Sequence, residues 1–294
     1  MSSIRFLRTF VAVARHGSFS EAAEHVALSQ AAVSLQMRAL ETEFGRSLFD
    51  RSGRLATLNA AGTTLLPEIQ QLLALYDRIR LPRAAPGLLV GSLSMGAIVS
   101  CMSTLARVVA QLKSEHPDLS IRLVSGKSSE LSHKIEMGDI DAAMVVGTGK
   151  KPPGSTWRML YREPIRLITS AGMRDDDPLR LLRTHHFLRF DRSQHTGAQI
   201  DRMLRKMGVA PDDFLELNAI EQVLDLVRHG VGITILPLLH TRRWHDQEGL
   251  RTLSLPGALS SATRSIGMLE RRGHRMQPVT EEVFRRYAHL AAEE

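Results

Sequence analysis

Residues 17–51, GSFSEAAEHVALSQAAVSLQMRALETEFGRSLFDR, contain two short helical patterns separated by a polar break and closed by an apolar turn that ends in arginine. Ser18 and Glu21 stand at capping-box spacing, with Ser20 a competing N-cap, and Ala22, Ala23 and Val26 supply the apolar side of a short helix. Ser29 is placed to cap the next helix, where Val33, Met37, Leu40 and Phe44 form an apolar stripe. Gln30, Ser34 and Arg38 form a second stripe on that helix, spaced by four. The apolar stripe predicts attachment to a small core that Leu48 and Phe49 rejoin. The polar stripe has two readings from residue type alone: a solvated face, or side chains that approach base edges in the DNA major groove. Arg51, Ser52, Gly53 and Arg54 then make a basic turn of the kind that lies beside a phosphate backbone.

Upstream, Ile4, Leu7, Phe10, Val11 and Ala14 recur at spacings of three and four and predict the inner face of a first helix that Gly17 ends. Downstream, Leu65, Leu66, Ile69, Leu72, Leu73, Tyr76 and Ile79 form an apolar stripe from about residue 60 to 80. A small N-terminal core is too short to cover it, so at least a dimer is predicted. Pro82 and residues 84–87, AAPG, mark a hinge. Beyond it strands at 88–93, 119–125 and 140–146 alternate with helices at 98–115 and 129–137. A second series has strands at 165–170, 186–190, 214–218 and 231–237, with one helix running through Met203 and another at 221–228. A strand near 265–269 and a helix near 279–290 complete the chain, and the succession predicts an open α/β fold in two sub-domains.

The composition sets the outer limits. With 294 residues the chain has room for more than one core, and 43% hydrophobic with 23% charged residues is the balance of a globular protein. The net charge of +7 permits nucleic-acid contact without establishing it. The start, MSSIRFLRTFVAVARHG, has helical spacing rather than the form of a signal peptide, and no apolar run has the length of a membrane span, so a cytoplasmic location without membrane association is expected. Cys101 has no cysteine partner for a disulfide or a zinc cluster and reads as a small buried hydrophobe. No cofactor or metal is called for.

The segment 17–51, continuing into LATLNAAG at 55–62, resembles the N-terminal signature of the LysR-type transcriptional regulators. The paired alanines, the serine-glutamine start of the third helix, the leucine-glutamate pair, Gly45 and the leucine-phenylalanine-acid-arginine run carry the likeness. HPDLSIRLVSG (116–126), SSELSHKIEMGDIDAAMV (128–145) and LDLVRHGVGITILP (224–237) resemble the same family's effector domain. The likeness implies a winged helix-turn-helix at 1–58, a linker and dimerisation helix with hinge at 59–86, and an α/β two-lobed effector-binding domain of periplasmic-binding-protein type at 87–294. Its first lobe would take about 87–160 and 265–294, and its second about 161–264. In relatives, positions matching Gln30, Ala31, Ser34 and Leu35 approach base edges, and those matching Arg51 and Arg54 approach the backbone or minor groove; Arg38 shares the polar stripe. Ala31 stands where proline is frequent, Leu35 where a polar residue is common, and Asn59 where threonine is common. Leu35 is suited to a thymine methyl rather than to hydrogen-bond readout. The partners implied are an operator duplex, a small-molecule effector and further copies of the chain as dimer or tetramer, with RNA polymerase admitted as another.

Ligands of α/β folds collect at the carboxyl ends of strands, where helix starts offer unpaired amides. The stretches meeting that condition are Ser94, Met95, Gly96 and Ala97; Gly126, Lys127, Ser128 and Ser129; Val146 and Gly147; and Asn218, Ala219 and Ile220. The resemblance adds the loop with His195 and Thr196. Hydroxyls, amides, Lys127 and His195 together favour a carboxylate or comparable anion, although each hydroxyl has a second reading as a plain helix cap. Enzymatic readings fail on spacing. Around Ser94 a hydrolase elbow requires glycines on both sides, and Ser92 occupies one of the two positions. Gly126, Lys127 and Ser128 match only the end of a phosphate loop, whose first glycine would fall at Ile121. A solute-binding module without promoter control accounts for the C-terminal region but not for residues 1–58.

Overall fold

The computed structural model describes residues 3–50, 56–80, 88–149, 151–240 and 249–293, and the chain divides into two compact units, residues 1–91 with 272–278 and residues 92–271 with 279–294. The wing residues Arg51 and Arg54 and the hinge at 82–87 lie outside the described residues.

In the first unit, α1 (Ile4–His16), α2 (Phe19–His25) and α3 (Gln30–Glu43) precede the antiparallel pair β1 (Phe49–Asp50) and β2 (Thr57–Leu58), and α4 (Ala60–Arg80) follows. Gly17, at φ 63°, ends α1 by donating its amide to the Val13 carbonyl, a left-handed cap open to glycine at little cost. The hydroxyls of Ser18 and Ser29 accept amides of Glu21 and Ala32 and start α2 and α3 as their spacing predicts. Phe10, Val33, Met37, Leu40, Leu48 and Phe49 form the core, with Phe49 in ring contact with Phe10 and Phe19.

Two sequence expectations shift here. The inner face of α1 turns toward Leu7, Phe10 and Val13, leaving Val11 and Ala14 half-buried, because Thr9 is drawn inward to donate its hydroxyl to Gln36 Oε1 at 2.7 Å. Phe44 is 37% exposed: α3 stops at Glu43, so the apolar stripe ends with Leu40. The buried Glu41 takes that place, accepting the Leu48 amide at 2.8 Å and the Ser47 hydroxyl at 3.0 Å, and so ties α3 to β1.

Asn59 caps α4, its Oδ1 accepting the Gly62 amide at 2.9 Å. A Cβ at Gly62 would lie 2.2 Å from the Leu48 carbonyl oxygen, so only glycine lets α4 start against the strand. The linker stripe is then split. Leu65 and Ile69 are buried in the first unit's own core, whereas Leu72 and Leu75 are each 47% exposed. The continuous open stripe expected from sequence is therefore corrected: the small core covers its first half. Ile79 lies among residues whose side chains are not described.

The second unit contains β3 (Gly91–Ala97), α5 (Val99–Glu115), β4 (Leu119–Ser125), α6 (Ser128–Glu136), β5 (Ala142–Val146), β6 (Ser155–Ser170) and α7 (Pro178–Thr184). It continues through β7 (His186–Phe190), α8 (His195–Lys206), β8 (Asp212–Leu217), α9 (Ile220–Arg228), β9 (Thr234–Pro237), β10 (Leu250–Leu253), a 3-10 turn (Gly257–Ser261), β11 (Thr263–Arg271) and α10 (Gln277–Glu293). The principal sheet has the order β10-β6-β11-β5-β3-β4, with β9 also on β6. β3 and β5 are parallel, while β11 runs antiparallel to both β5 and β6.

β6 links two lobes. Residues Ser155–Pro164 pair with β11, and Ile165–Ser170 pair with β9 and β10, so the strand changes partners between Pro164 and Ile165 and β11 brings the chain back. The parallel pair β7 and β8 joins the second lobe through a bridge between Phe187 and Ile233. Ile165, Leu167, Phe187, Leu188, Val223 and Ile235 fill that lobe's core. The apolar run 88–93 misplaces the first strand, which begins at Gly91 and buries Leu93, Met95 and Ala97. The expectation at 165–170 recovers only the second half of β6, and α7 and β10 are additions that the sequence reading lacked. Cys101 is fully buried, and burial pushes its thiol pKa up, so it packs as the apolar residue expected. Among the described residues no helix is long and apolar enough to cross a membrane.

Candidate functional site

On α3 the apolar residues face the core, and the polar stripe is left outside. Gln30, Ala31, Leu35 and Arg38 are exposed and Ser34 is half-buried, with Leu35 at 66% exposure. The helix thus presents a face with amide, hydroxyl, methyl and guanidinium groups. Each has a counterpart on a base edge or phosphate.

The second unit has a different site. Helices α5, α6, α8 and α9 all begin at the wall of one cavity of about 320 Å³. Their first turns direct the positive ends of their dipoles toward it, and at α6 the Lys127 amide is already accepted by Glu130. Of the residues singled out from sequence, Lys127, Ser128, Val146, His195, Thr196, Asn218 and Ile220 come together there. Gly147 lines a neighbouring chamber. Ser94 and Met95 are excluded from both. Because β3 runs to Ala97, Met95 is buried within the strand and Ser94 is engaged below its end, its amide on Asp141 and its hydroxyl receiving Arg122 Nε at 3.1 Å. The true strand end supplies Ile98, Val99 and Ser100 instead.

Arg264, absent from the sequence reading as a contact, is the most connected group of the cavity wall. It is 4% exposed and donates to Glu163 Oε2 at 2.5 Å, to the Thr196 hydroxyl at 3.0 Å and to the Ser100 hydroxyl at 3.3 Å. Ser100 lies in the first turn of α5 and Thr196 in that of α8, so one guanidinium joins helix starts of both lobes. Glu163, also buried, accepts the His240 amide at 2.9 Å through its other oxygen. No local pattern announces this pair, since its members are 101 positions apart.

Lys127 forms a second bridge between the lobes. Its ammonium lies 2.9 Å from Asp191 Oδ2 and donates to the Ser193 hydroxyl at 2.8 Å. Burial pushes the Asp191 carboxyl up, but hydrogen bonds from Ser193, Lys127 and Gln194 outweigh it and hold the pKa at about 2. The loop carrying Asp191 is pressed onto α8, where a Cβ at Gly197 would lie 2.1 Å from the Asp191 carbonyl oxygen. Burial, then the charge of the neighbouring Arg202, lowers the His195 pKa from its ordinary value. The shift favours the uncharged imidazole, a hydrogen-bonding group, at this wall of the cavity.

Ser128 also holds the wall together, because its buried hydroxyl accepts the Val146 amide at 3.1 Å and pins α6 to the end of β5. Replacing Ser128 with alanine leaves that buried amide without its acceptor. The expected loss is about 1–3 kcal/mol of stability, read by urea unfolding; a variant as stable as the parent would remove this role.

The chain matches two family models: "Bacterial regulatory helix-turn-helix protein, lysR family" over residues 4–63 and "LysR substrate binding domain" over residues 86–291. It is 27% identical over 256 residues to the HTH-type transcriptional regulator YusT of Bacillus subtilis (strain 168), covering 86% of this chain and 85% of that protein. The RuBisCO operon transcriptional regulator of Allochromatium vinosum is 28% identical over 283 residues, covering 94% and 92% of the two chains. Among solved structures, a full-length OxyR variant from Pseudomonas aeruginosa superposes with a TM-score of 0.68 at 20% identity, over 98% of this chain and 95% of that one. Full-length CbnR in complex with its target DNA superposes with a TM-score of 0.53 at 22% identity, over 98% and 99%, and like OxyR supports the fold alone. The helix-turn-helix with its exposed α3 face, the two-lobed α/β unit and both family matches lead to one conclusion: the chain belongs to the LysR family of DNA-binding transcriptional regulators.

Proposed function

We propose that the chain is an effector-controlled regulator that binds an interrupted inverted repeat as at least a dimer, and that its effector is a small carboxylate or comparable anion held in the 320 Å³ cavity. Residues 1–58 serve in this reading as the DNA-binding domain, 59–86 as linker and 87–294 as effector domain. The convergence of four helix starts on one cavity carries the proposal. Each start favours negative charge, and Lys127 and Arg264, each paired with a carboxylate behind the wall, keep further N–H donors at the same cavity. Phe190, Leu239 and Ile220 supply apolar wall for the remainder of a small metabolite. A second reading has its own observation: Glu130 and Glu221 also line the cavity, which favours a zwitterion bearing an ammonium group beside its carboxylate.

Binding alone does not regulate. The ligand must prefer one arrangement of the lobes, since equal affinity for both leaves the populations unchanged. Thermal-shift screening of carboxylates and amino acids, followed by a promoter assay with each hit, tests the proposal. A hit is expected to raise the melting temperature and to alter promoter output; hits confined to cations or uncharged compounds would reject it.

On the DNA side, Gln30→Ala is expected to cost about 1–3 kcal/mol of discrimination, the worth of one good bidentate base contact. Gel-shift titrations on operator and scrambled duplexes separate the cases: equal losses on both would remove the base-reading role, and no loss on either would assign Gln30 to the solvated face.

A further inference from the structure

Beside the effector cavity, α8 borders a second chamber of about 660 Å³ that shares Val146, His195 and Arg264 with the first. His195, Gln199, Arg202 and Lys206 recur along one face of the helix and line it, opposite Thr148 and Thr263. The Gln199 amide donates to the Thr263 carbonyl at 2.9 Å, which fixes this face against β11. The charges are one-sided. Among the described residues the lining contains no acidic side chain, and Asp201, the adjacent acid of α8, is engaged by Arg189. The first cavity differs, because Glu130 and Glu221 share its wall with Lys127 and Arg264.

We propose that this second chamber is a separate site for a small dianion of phosphate type, either free phosphate or a phosphomonoester. Arg202 offers a planar fork that matches a tetrahedral oxyanion, Lys206 adds a point charge one turn further on, and the Thr263 hydroxyl supplies a neutral donor. Its proposed anion ligands, Arg202 and Lys206, line this chamber and not the first, so the site needs no ligand in the first cavity.

Calorimetric titration of the full-length protein with inorganic phosphate and with glycerol phosphate, against chloride at equal ionic strength, tests it. Saturable binding of both probes supports a site that admits esters; binding of inorganic phosphate alone supports a site for the free anion. Arg202 and Lys206 are exposed, so Arg202→Gln and Lys206→Gln should fold normally. The Arg202→Gln variant is expected to weaken binding about tenfold, as loss of a bidentate charge-assisted contact would. Arg205→Gln removes the same charge from an exposed position of α8 outside the chamber and is expected to change affinity less than about twofold, since exposed charges are screened. Absence of saturable binding of inorganic phosphate, or equal weakening by Arg202→Gln and Arg205→Gln, overturns the proposal.

Discussion

Replacing Glu163 with alanine is expected to destabilise the α/β unit by about 3–5 kcal/mol, the usual penalty for leaving one member of a buried ion pair without its partner. Arg264 would keep its charge at 4% exposure with only the hydroxyls of Thr196 and Ser100 as acceptors, and the His240 amide would lose its acceptor as well. Removing both charges has a different outcome. With Glu163→Met and Arg264→Met combined, neither desolvated charge remains, and most of the lost stability should return. The bond between the starts of α5 and α8 would still be missing, so the double variant should fold yet fail to bind effector. Urea unfolding followed by ligand titration checks both parts. A single variant within about 0.5 kcal/mol of the parent would contradict the buried-pair argument, because that is the scale of surface substitutions.

The other large effect is expected on α4. Exchanging Leu72 and Leu75 together for glutamate should convert the protein to a single-chain species and lower operator affinity by about a hundredfold or more, because two linked half-site contacts gain at least that factor over one. Both side chains are exposed in the isolated chain, so the exchange removes an association surface without disturbing a core. Leu65 or Ile69 would be a poor choice for this test, since both belong to the winged unit's own core and their loss would unfold it. Sedimentation at micromolar concentration measures the first outcome and gel-shift titration the second. A variant that remains dimeric would move the interface away from this helix face.

The secondary structure of the DNA-binding unit was legible in sequence because its signals are local. A serine cap, an amide within the next turn and an apolar stripe act over a few residues, and the structure realises them at Ser18, Ser29 and Asn59. The separation of Gln30 and Arg38 from Val33, Met37 and Leu40 is likewise a matter of helical period. Phe44 departed from the pattern where a partner outside its own helix decided, with Glu41 of α3 held by the Leu48 amide. Most of the cavity's rim was legible too, since strand ends followed by helix starts can be counted along the chain. Ser94 and Met95 show the weakness of that count: an apolar run starting at Leu88 placed the strand too early, whereas pairing of Met95 to Ala97 with β5 sets its actual end.

The sequence by itself thus determined the helix-turn-helix, the exposed polar face of α3, the alternating α/β series and the family. Only the tertiary structure decided which strand crosses between lobes, which half of the linker stripe is already covered, and that Arg264, Glu163, Ser100 and Thr196 meet. It also decided that Lys127 spans the cleft to Asp191 and that burial lowers the His195 pKa. The physical reason is range. Capping and periodicity are properties of neighbouring residues, while burial, desolvation and ion pairing depend on groups that only the folded chain brings within hydrogen-bonding distance.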